Sequence, residues 1–194
     1  MRERHERLVR DSLEASIAAK RAFAEAASGL LIEAAQAVAE RLRAGGKVLC
    51  FGNGGSAAEA QNFASELVNR MERERPGIAA LALTTDASVL TSIANDYAYE
   101  RVFARQVETL ASRGDVALAI STSGNSPNVV AALGAAEAAG LLTVGFLGRD
   151  GGKCRALCRF PLMVPARSTQ RIQEVHILMS HLLAEMIEDH LHPR

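Results

Sequence analysis

The sequence predicts an α/β protein with a three-layer α/β/α sandwich, a five-stranded parallel sheet and an added N-terminal helical segment. Short apolar runs bounded by turn residues alternate with helical patterns over most of the chain. Alternation of this kind builds a parallel sheet that helices cover on both faces. The chain has 194 residues, with no internal repeat or linker, so we expect one domain over residues 1–194.

The N-terminal helical segment spans about residues 3–43, and the sheet domain about residues 45–194. Small and apolar residues recur at helical spacing over residues 8–43, without a proline. Only Gly29 suggests a break, so the segment forms either one long helix or two shorter ones. Its many alanines favour close packing, within the chain or between subunits.

The sheet domain contains five predicted strands and four helical regions. Each strand is a short apolar run, as expected for a strand buried on both faces. The strands are predicted at residues 47–51, 78–83, 115–120, 142–147 and 160–164. The helical patterns cover residues 56–71, 88–94 with 99–112, 126–139 and 169–191.

Composition excludes several functions. The 22 basic and 22 acidic side chains cancel, so we expect neither nucleic acid nor a membrane as a partner. No apolar run approaches the roughly 20 residues of a membrane-spanning helix, and the charged residues 1–10 do not resemble a secretory signal. We therefore expect a soluble, cytoplasmic protein.

Cys50, Cys154 and Cys158 lack zinc-finger spacing, and we expect reduced thiols.

A glycine-rich segment, Gly52-Asn53-Gly54-Gly55-Ser56, follows the first predicted strand and precedes a helix. Glycine allows a sharp turn, and free N–H groups at a helix start bind anions. Ser56 is placed to cap the helix. Because such a turn needs glycine even where nothing binds, this segment alone is compatible with either a structural turn or an anion site.

A hydroxyl-rich segment, Ser121-Thr122-Ser123-Gly124-Asn125-Ser126, ends the third predicted strand. Four hydroxyls at a helix start suit the three oxygens of a phosphomonoester, without a cation. Both segments follow the carboxyl ends of parallel strands, so we expect them to border one crevice. Neither the Walker P-loop nor the dinucleotide-binding fingerprint is present, which argues against a nucleotide.

From about residue 5 to residue 190 the sequence resembles the phosphoheptose isomerases of the sugar isomerase (SIS) family. The motifs that carry the resemblance are the two segments above, Asn95-Asp96, Asp150-Gly-Gly-Lys153 and Arg171-Ile-Gln-Glu-Val-His176. It implies the SIS fold and conversion of sedoheptulose 7-phosphate to D-glycero-D-manno-heptose 7-phosphate, early in lipopolysaccharide precursor synthesis. It also implies a homotetramer with sites between subunits.

An aldose–ketose isomerisation needs a base that moves a proton between C1 and C2 and an acid that serves the neighbouring oxygens. The resemblance implies Glu66 as the base and His181 as the acid. Without the resemblance to this family, Glu66 would be interpreted as a solvated carboxylate and His181 as a core or interface histidine. His176 is interpreted as a packing or interface residue. The substrate-binding residues that the resemblance implies are Asn53, Gly54, Gly55, Ser56, Asn95, Asp96, Ser121, Thr122, Ser123, Ser126 and Gln173.

The sequence departs from the family at Asn62. Many members bind zinc through a histidine at this position, one turn before the catalytic glutamate. An amide oxygen is a poor zinc ligand beside imidazole, so we expect no tightly bound zinc and no required cofactor. The alternative is a weaker zinc site formed by Glu66, Gln173 and His181.

A second function comes from a non-catalytic relative, a tetrameric SIS adaptor that binds the bacterial replication initiator. This chain shares stretches with it, such as Asn69-Arg70, but isomerases contain them as well. The pair Glu66 and His181 discriminates, because the adaptor lacks it. The sequence therefore favours the isomerase, with a phosphorylated seven-carbon sugar as its ligand.

Overall fold

The computed structural model describes residues 1–71 and 73–193 and contains the predicted five-stranded parallel sheet. Its strands lie side by side in the order β2-β1-β3-β4-β5. All four neighbouring pairs are parallel. The strands are β1 (Val48–Gly52), β2 (Ala80–Ala82), β3 (Val116–Ser121), β4 (Leu142–Gly148) and β5 (Phe160–Val164).

Six α-helices surround the sheet. The N-terminal segment, for which the sequence allowed one or two helices, is a single helix of 42 residues. The region predicted as helical over residues 99–112 divides into a 3₁₀ turn and a shorter α-helix. The helices are α1 (Arg2–Arg43), α2 (Gly55–Val68), α3 (Ala87–Asp96), α4 (Ala104–Leu110), α5 (Pro127–Ala138) and α6 (Thr169–Leu191). The 3₁₀ helices are Tyr99–Arg101 and Gly152–Leu157.

Two apolar clusters, one on each face of the sheet, confirm the predicted three-layer sandwich. The first joins the sheet to α1, α2 and α6 around Phe23, Phe63 and Phe146. The second joins the opposite face to α4 and α5 around Phe103 and Leu133. Strands β1 and β3 are buried along their whole length, which explains why they are continuous apolar runs in the sequence.

Helix α1 packs on α6 and β5 through one face that includes Phe23 and Leu31. By length and composition it would also suit a membrane span, but a buried apolar stripe facing a sheet is typical of a core helix. Nearer its N-terminus, α1 contacts the start of α6 through a hydrogen bond from Arg171 to the Ser12 carbonyl, while Leu8, Val9 and Leu13 are exposed.

The strand order creates a switch point between β1 and β3. From β1 the chain crosses to the sheet edge at β2 and then returns to β3, on the other side of β1. Ligands of open α/β sheets bind at such a point, outside the carboxyl ends of the strands. The register pairs Gly52 with Ile120, so the glycine-rich and hydroxyl-rich segments begin side by side.

Candidate active site

The glycine-rich loop turns from β1 into α2 within two residues. Gly54 adopts a positive φ of 57°, which favours glycine because a Cβ is strained there. The prediction that Ser56 caps α2 is wrong: the helix begins at Gly55, and Gly54 is the N-cap. Because the chain turns at Gly54, the helix begins before Ser56. Ser56 therefore lies in the first turn of the helix, where it is buried. The N–H groups of that turn remain suited to an anion.

Asn53 fastens this loop to its neighbours through its side chain. Its amide exchanges two hydrogen bonds of 2.8 Å with the amide of Asn128, which lies on α5. The hydroxyl of Tyr99 donates a third bond of 3.1 Å to Asn53 Oδ1. The side chain of Asn53, predicted to bind substrate, thus joins the glycine-rich loop to α5 and to the Tyr99 turn. Sequence reasoning missed Asn128 and Tyr99, although Asn128 lies only two residues after the hydroxyl-rich motif.

The hydroxyl-rich loop is closed by its own serines. Ser121 Oγ accepts a 3.1 Å hydrogen bond from the Gly124 N–H, and Ser123 Oγ accepts one of 3.2 Å from the Asn125 N–H. Ser121 Oγ also lies 3.4 Å from Ser126 Oγ. A hydroxyl that accepts one bond still has a proton to donate. The loop therefore presents hydroxyl donors that its own backbone holds in place.

The segment of residues 150–154 packs against the outer side of the hydroxyl-rich loop and forms hydrogen bonds with it. The Cys154 N–H donates to the Gly124 carbonyl at 2.9 Å, and the Lys153 N–H donates to Asn125 Oδ1 at 3.1 Å. Gly124 and Gly151 both have positive φ, and a Cβ on Gly124 would collide with the Gly151 backbone. Two glycines are needed here because two backbones touch.

A cleft of about 810 Å³ opens beside this loop, bordered by Ser123 and Asn125. The side chains of Arg149 and Arg167 line it as well. The sequence interpretation needed no cation for phosphate, so it missed these two guanidinium groups. They place positive charge on the outer side of the loop.

Gln173, which the resemblance implied as a substrate-binding residue, reaches the glycine-rich loop from α6. A Cβ built on Gly55 would overlap the Gln173 amide, so this side chain lies directly on the loop. Both residues, with Ser56 and Glu59, line a small, partly open cavity of about 130 Å³ between α2 and α6. The structure therefore brings the motif that contains Gln173 into contact with the glycine-rich loop.

Glu66 and His181, the implied base and acid, lie on the packed helices α2 and α6. Glu66 is half-buried near the end of α2, and Asn62 precedes it by one turn. His181 is exposed on α6, so the interpretation of a core histidine is wrong. His176 is buried and packs against Phe146.

Glu59 is a third ionisable residue of this region that sequence reasoning missed. Its side chain is 8% exposed, and within the described part of the chain its Oε1 has no hydrogen-bond partner. Burial raises the pKa of Glu59. The nearby Ser180 hydroxyl and His181 lower this pKa, whereas the charge of Glu66 raises it. Glu59 lies seven residues before Glu66, hence on the same helix face, which is the signal that could have identified it.

Asn95 and Asp96 lie apart from the two loops, exposed at the end of α3. The Asn95 amide donates a 2.9 Å hydrogen bond to the Asp96 carboxylate. Helix α3 contacts the 3₁₀ turn that carries Tyr99, and Tyr99 in turn contacts Asn53. Helix α3 and the Tyr99 turn thus connect the region of Asn95 and Asp96 to the glycine-rich loop.

The residues present do not fit a tightly bound zinc ion. The implied set offers one carboxylate from Glu66 and one imidazole from His181, and Gln173 and Asn62 add amides. Tight zinc sites use thiolate, imidazole and carboxylate ligands. Over residues 1–71 and 73–193, no three His, Cys, Asp or Glu side chains come together as a metal-binding group.

The sheet, its switch point and the glycine-rich and hydroxyl-rich loops define the class of protein. The family model of the SIS domain matches residues 13–148, and the chain belongs to the SIS domain family. Within that family it belongs with the phosphoheptose isomerases. One of these, from Roseiflexus sp. (strain RS-1), is 52% identical over 182 residues, 94% of this chain and 92% of its own. Another, from Aquifex aeolicus, is 47% identical over 189 residues, which are 97% of this chain and 97% of its own.

Solved structures agree with this assignment. A phosphoheptose isomerase from Neisseria gonorrhoeae is 42% identical and superposes with a TM-score of 0.89 over 95% of this chain and 98% of its own. One from Francisella tularensis is 36% identical, with a TM-score of 0.92 and the same coverage. The predicted SIS fold and isomerase family are confirmed. These similarities support the isomerase and not the adaptor.

Proposed function

We propose that this isomerase converts sedoheptulose 7-phosphate to D-glycero-D-manno-heptose 7-phosphate. The observation that carries the proposal is the identity of about half of the residues with phosphoheptose isomerases over more than nine-tenths of the chain. The geometry supports it, because the glycine-rich and hydroxyl-rich loops meet at the switch point and Glu66 and His181 lie on the packed helices α2 and α6. The reaction would supply heptose for lipopolysaccharide precursors.

The phosphate of the substrate binds at the hydroxyl-rich loop. The hydroxyl groups of Ser121 and Ser123 donate to its oxygens, and the start of α5 adds backbone N–H groups. The sugar then extends toward the glycine-rich loop, where Gln173 lies on Gly55. Binding at the phosphate end leaves C1 and C2 to be placed between α2 and α6.

The chemical step is a proton transfer through an enediol. Glu66 takes a proton from C1, and the C1–H electron pair forms the C1=C2 bond while O2 gains a proton from His181. Glu66 then returns its proton to C2. O1 loses its proton to His181, which leaves the C1 aldehyde and restores both side chains. No oxidant or metal is consumed.

We further propose that the site works without tightly bound zinc. Asn62 stands where a zinc ligand would be needed, and carboxylate and imidazole suffice for the proton transfers. Metal analysis of protein purified without chelator tests this. Far less than one zinc per chain is expected, whereas one equivalent would overturn the proposal.

The assembly that we propose is a cytoplasmic homotetramer. Its support is the family together with the exposed apolar residues Leu8, Val9 and Leu13 in the N-terminal part of α1. Light scattering should give four times the chain mass of 20.7 kDa. A monomer at micromolar concentration would refute the tetramer.

The decisive experiment is conversion of sedoheptulose 7-phosphate by the wild type and by Glu66→Gln, each with added zinc and with chelator. We expect wild-type turnover that is insensitive to chelator, and none above background in Glu66→Gln. The matched control is Glu137→Gln, which removes an exposed carboxylate from α5 and should retain turnover. Absence of wild-type turnover by folded protein would overturn the proposed function.

A further inference from the structure

Helix α2, which carries Glu66, ends without a cation of its own. It runs from Gly55 to Val68, and its last turn contains no basic residue. The last four carbonyls of a helix lack partners within the helix and carry partial negative charge. The backbone carbonyls near Glu66 therefore need hydrogen-bond donors from residues outside the helix.

Arg75, in the loop after α2, supplies these donors. Its guanidinium group donates to the Glu66 carbonyl at 2.8 Å and to the Leu67 carbonyl at 2.9 Å. The side chain is only 2% exposed. A buried, planar group with five N–H donors can hold several acceptors at once in fixed directions. The backbone of the proposed catalytic base is thus held by a side chain nine residues further along the chain.

The same guanidinium group also reaches the helix that carries His181. Arg75 Nε donates to Glu188 Oε2 at 2.7 Å, and the Glu188 side chain is 4% exposed. Glu188 lies seven residues after His181 on α6, which places both on the same face of the helix. Arg75 therefore connects the end of α2 to α6, through hydrogen bonds to two α2 carbonyls on one side and to the Glu188 carboxylate on the other.

Arg73 shares the carboxylate of Glu188 but not the contact with α2. It donates to Glu188 Oε1 at 2.7 Å, and its other bonds go to Asp189 and to the His192 carbonyl. Its side chain is 26% exposed. Both arginines stabilise Glu188, yet only Arg75 holds the carbonyl of Glu66.

We infer that Arg75 is a positioning residue, which fixes Glu66 on α2 relative to His181 on α6. The inference rests on the proposed roles of Glu66 and His181. Proton transfer is sensitive to displacement, since an error of about 1 Å in a reacting group costs roughly a hundredfold in rate. The hydroxyl-rich loop follows β3 and makes none of these contacts, so substrate binding depends less on Arg75.

The test compares Arg75→Gln with Arg73→Gln, since each removes one positive charge from Glu188. Both should lower the melting temperature. At a temperature well below both transitions, Arg75→Gln should lower kcat about tenfold or more, with KM within about threefold of the wild type. Arg73→Gln should keep the wild-type kcat. Equal kcat values in the two variants would overturn the inference.

Arg75→Lys keeps the experiment decisive if Arg75→Gln does not fold. Lysine retains the charge but presents a single ammonium point that cannot match the guanidinium fork. We expect an intermediate loss of kcat, and a wild-type kcat would overturn the inference. Glu66→Gln separates the two proposals: if it is fully active, the role of Glu66 fails, whereas an inactive Glu66→Gln beside a fully active Arg75→Gln refutes only the positioning role.

Discussion

The amide of Gln173 on α6 lies directly against Gly55 at the start of α2, with no room for a methyl group between them. This contact joins two motifs that are more than a hundred residues apart in the sequence. It also borders the cavity between α2 and α6. Glycine at position 55 is therefore required by the approach of Gln173 and not by the turn, which Gly54 makes.

A methyl group at position 55 should displace Gln173. We expect Gly55→Ala to lower kcat/KM about tenfold or more, equivalent to at least about 1.4 kcal/mol. The free energy of unfolding should change little, because the end of a flexible side chain can move. Steady-state kinetics and denaturant unfolding measure the two effects.

Gly134→Ala is the matched control, since nothing lies within 4 Å of a Cβ at this position on α5. It should raise the free energy of unfolding by about 0.5–1 kcal/mol through the helix preference of alanine, with unchanged kinetics. Wild-type kcat/KM in Gly55→Ala would show that the position of Gln173 does not matter to the substrate.

How far the sequence predicts this molecule depends on the range of each interaction. The strands and the two loops were predicted because apolar runs, glycines and clustered hydroxyls are local signals. The cap of α2 was wrong by two residues, since the backbone turn at Gly54 decides where the helix starts. The pair Asn53–Asn128 and the link Arg75–Glu188 join residues 75 and 113 positions apart, and no local pattern marks such partners.

The amide pair between Asn53 and Asn128 should be needed for activity. Asn128→Asp keeps the size of the side chain but replaces its NH₂ donor with an oxygen that faces Asn53 Oδ1. The lost hydrogen bond costs about 1–3 kcal/mol, and freeing the loop should raise KM for the sugar phosphate. Substrate titration of the initial rate checks this.

Tyr99→Phe provides a graded comparison for the same loop. It removes the single 3.1 Å hydrogen bond from an exposed ring to Asn53, so its effect on KM should be the smaller of the two. If Asn128→Asp had the KM of the wild type, the amide pair would not position the binding loop.

The serine hydroxyls should provide much of the affinity for phosphate. Ser121→Ala with Ser123→Ala removes two donors and two acceptors that close the loop. We expect substrate binding to weaken by about 1–3 kcal/mol and inhibition by inorganic phosphate to weaken in parallel. Ser28→Ala, at an exposed position on α1, is the control. An unchanged KM in the double variant would exclude this loop as the phosphate site.

His176 should make the fold sensitive to mild acid. The ring is 1% exposed against Phe146, and within the described residues neither ring nitrogen has a hydrogen-bond partner. Burial lowers the pKa of His176 from 6.5 to about 4, and the Leu147 backbone, which lies near the ring but makes no well-formed hydrogen bond with it, offsets part of this shift. Between about pH 4 and pH 6.5, His176 therefore carries a proton in the unfolded chain but not in the folded chain.

The sign follows from that difference in bound protons. Stability from the neutral ring is complete above about pH 6.5 and is lost as the pH falls toward about 4, by roughly 3 kcal/mol in total. Denaturant unfolding across this range should show a loss that His176→Leu largely removes, because leucine fills the apolar site without titrating. His5→Gln, exposed on α1, should follow the wild type. If His176→Leu lost as much stability in acid as the wild type, other groups would control the acid response.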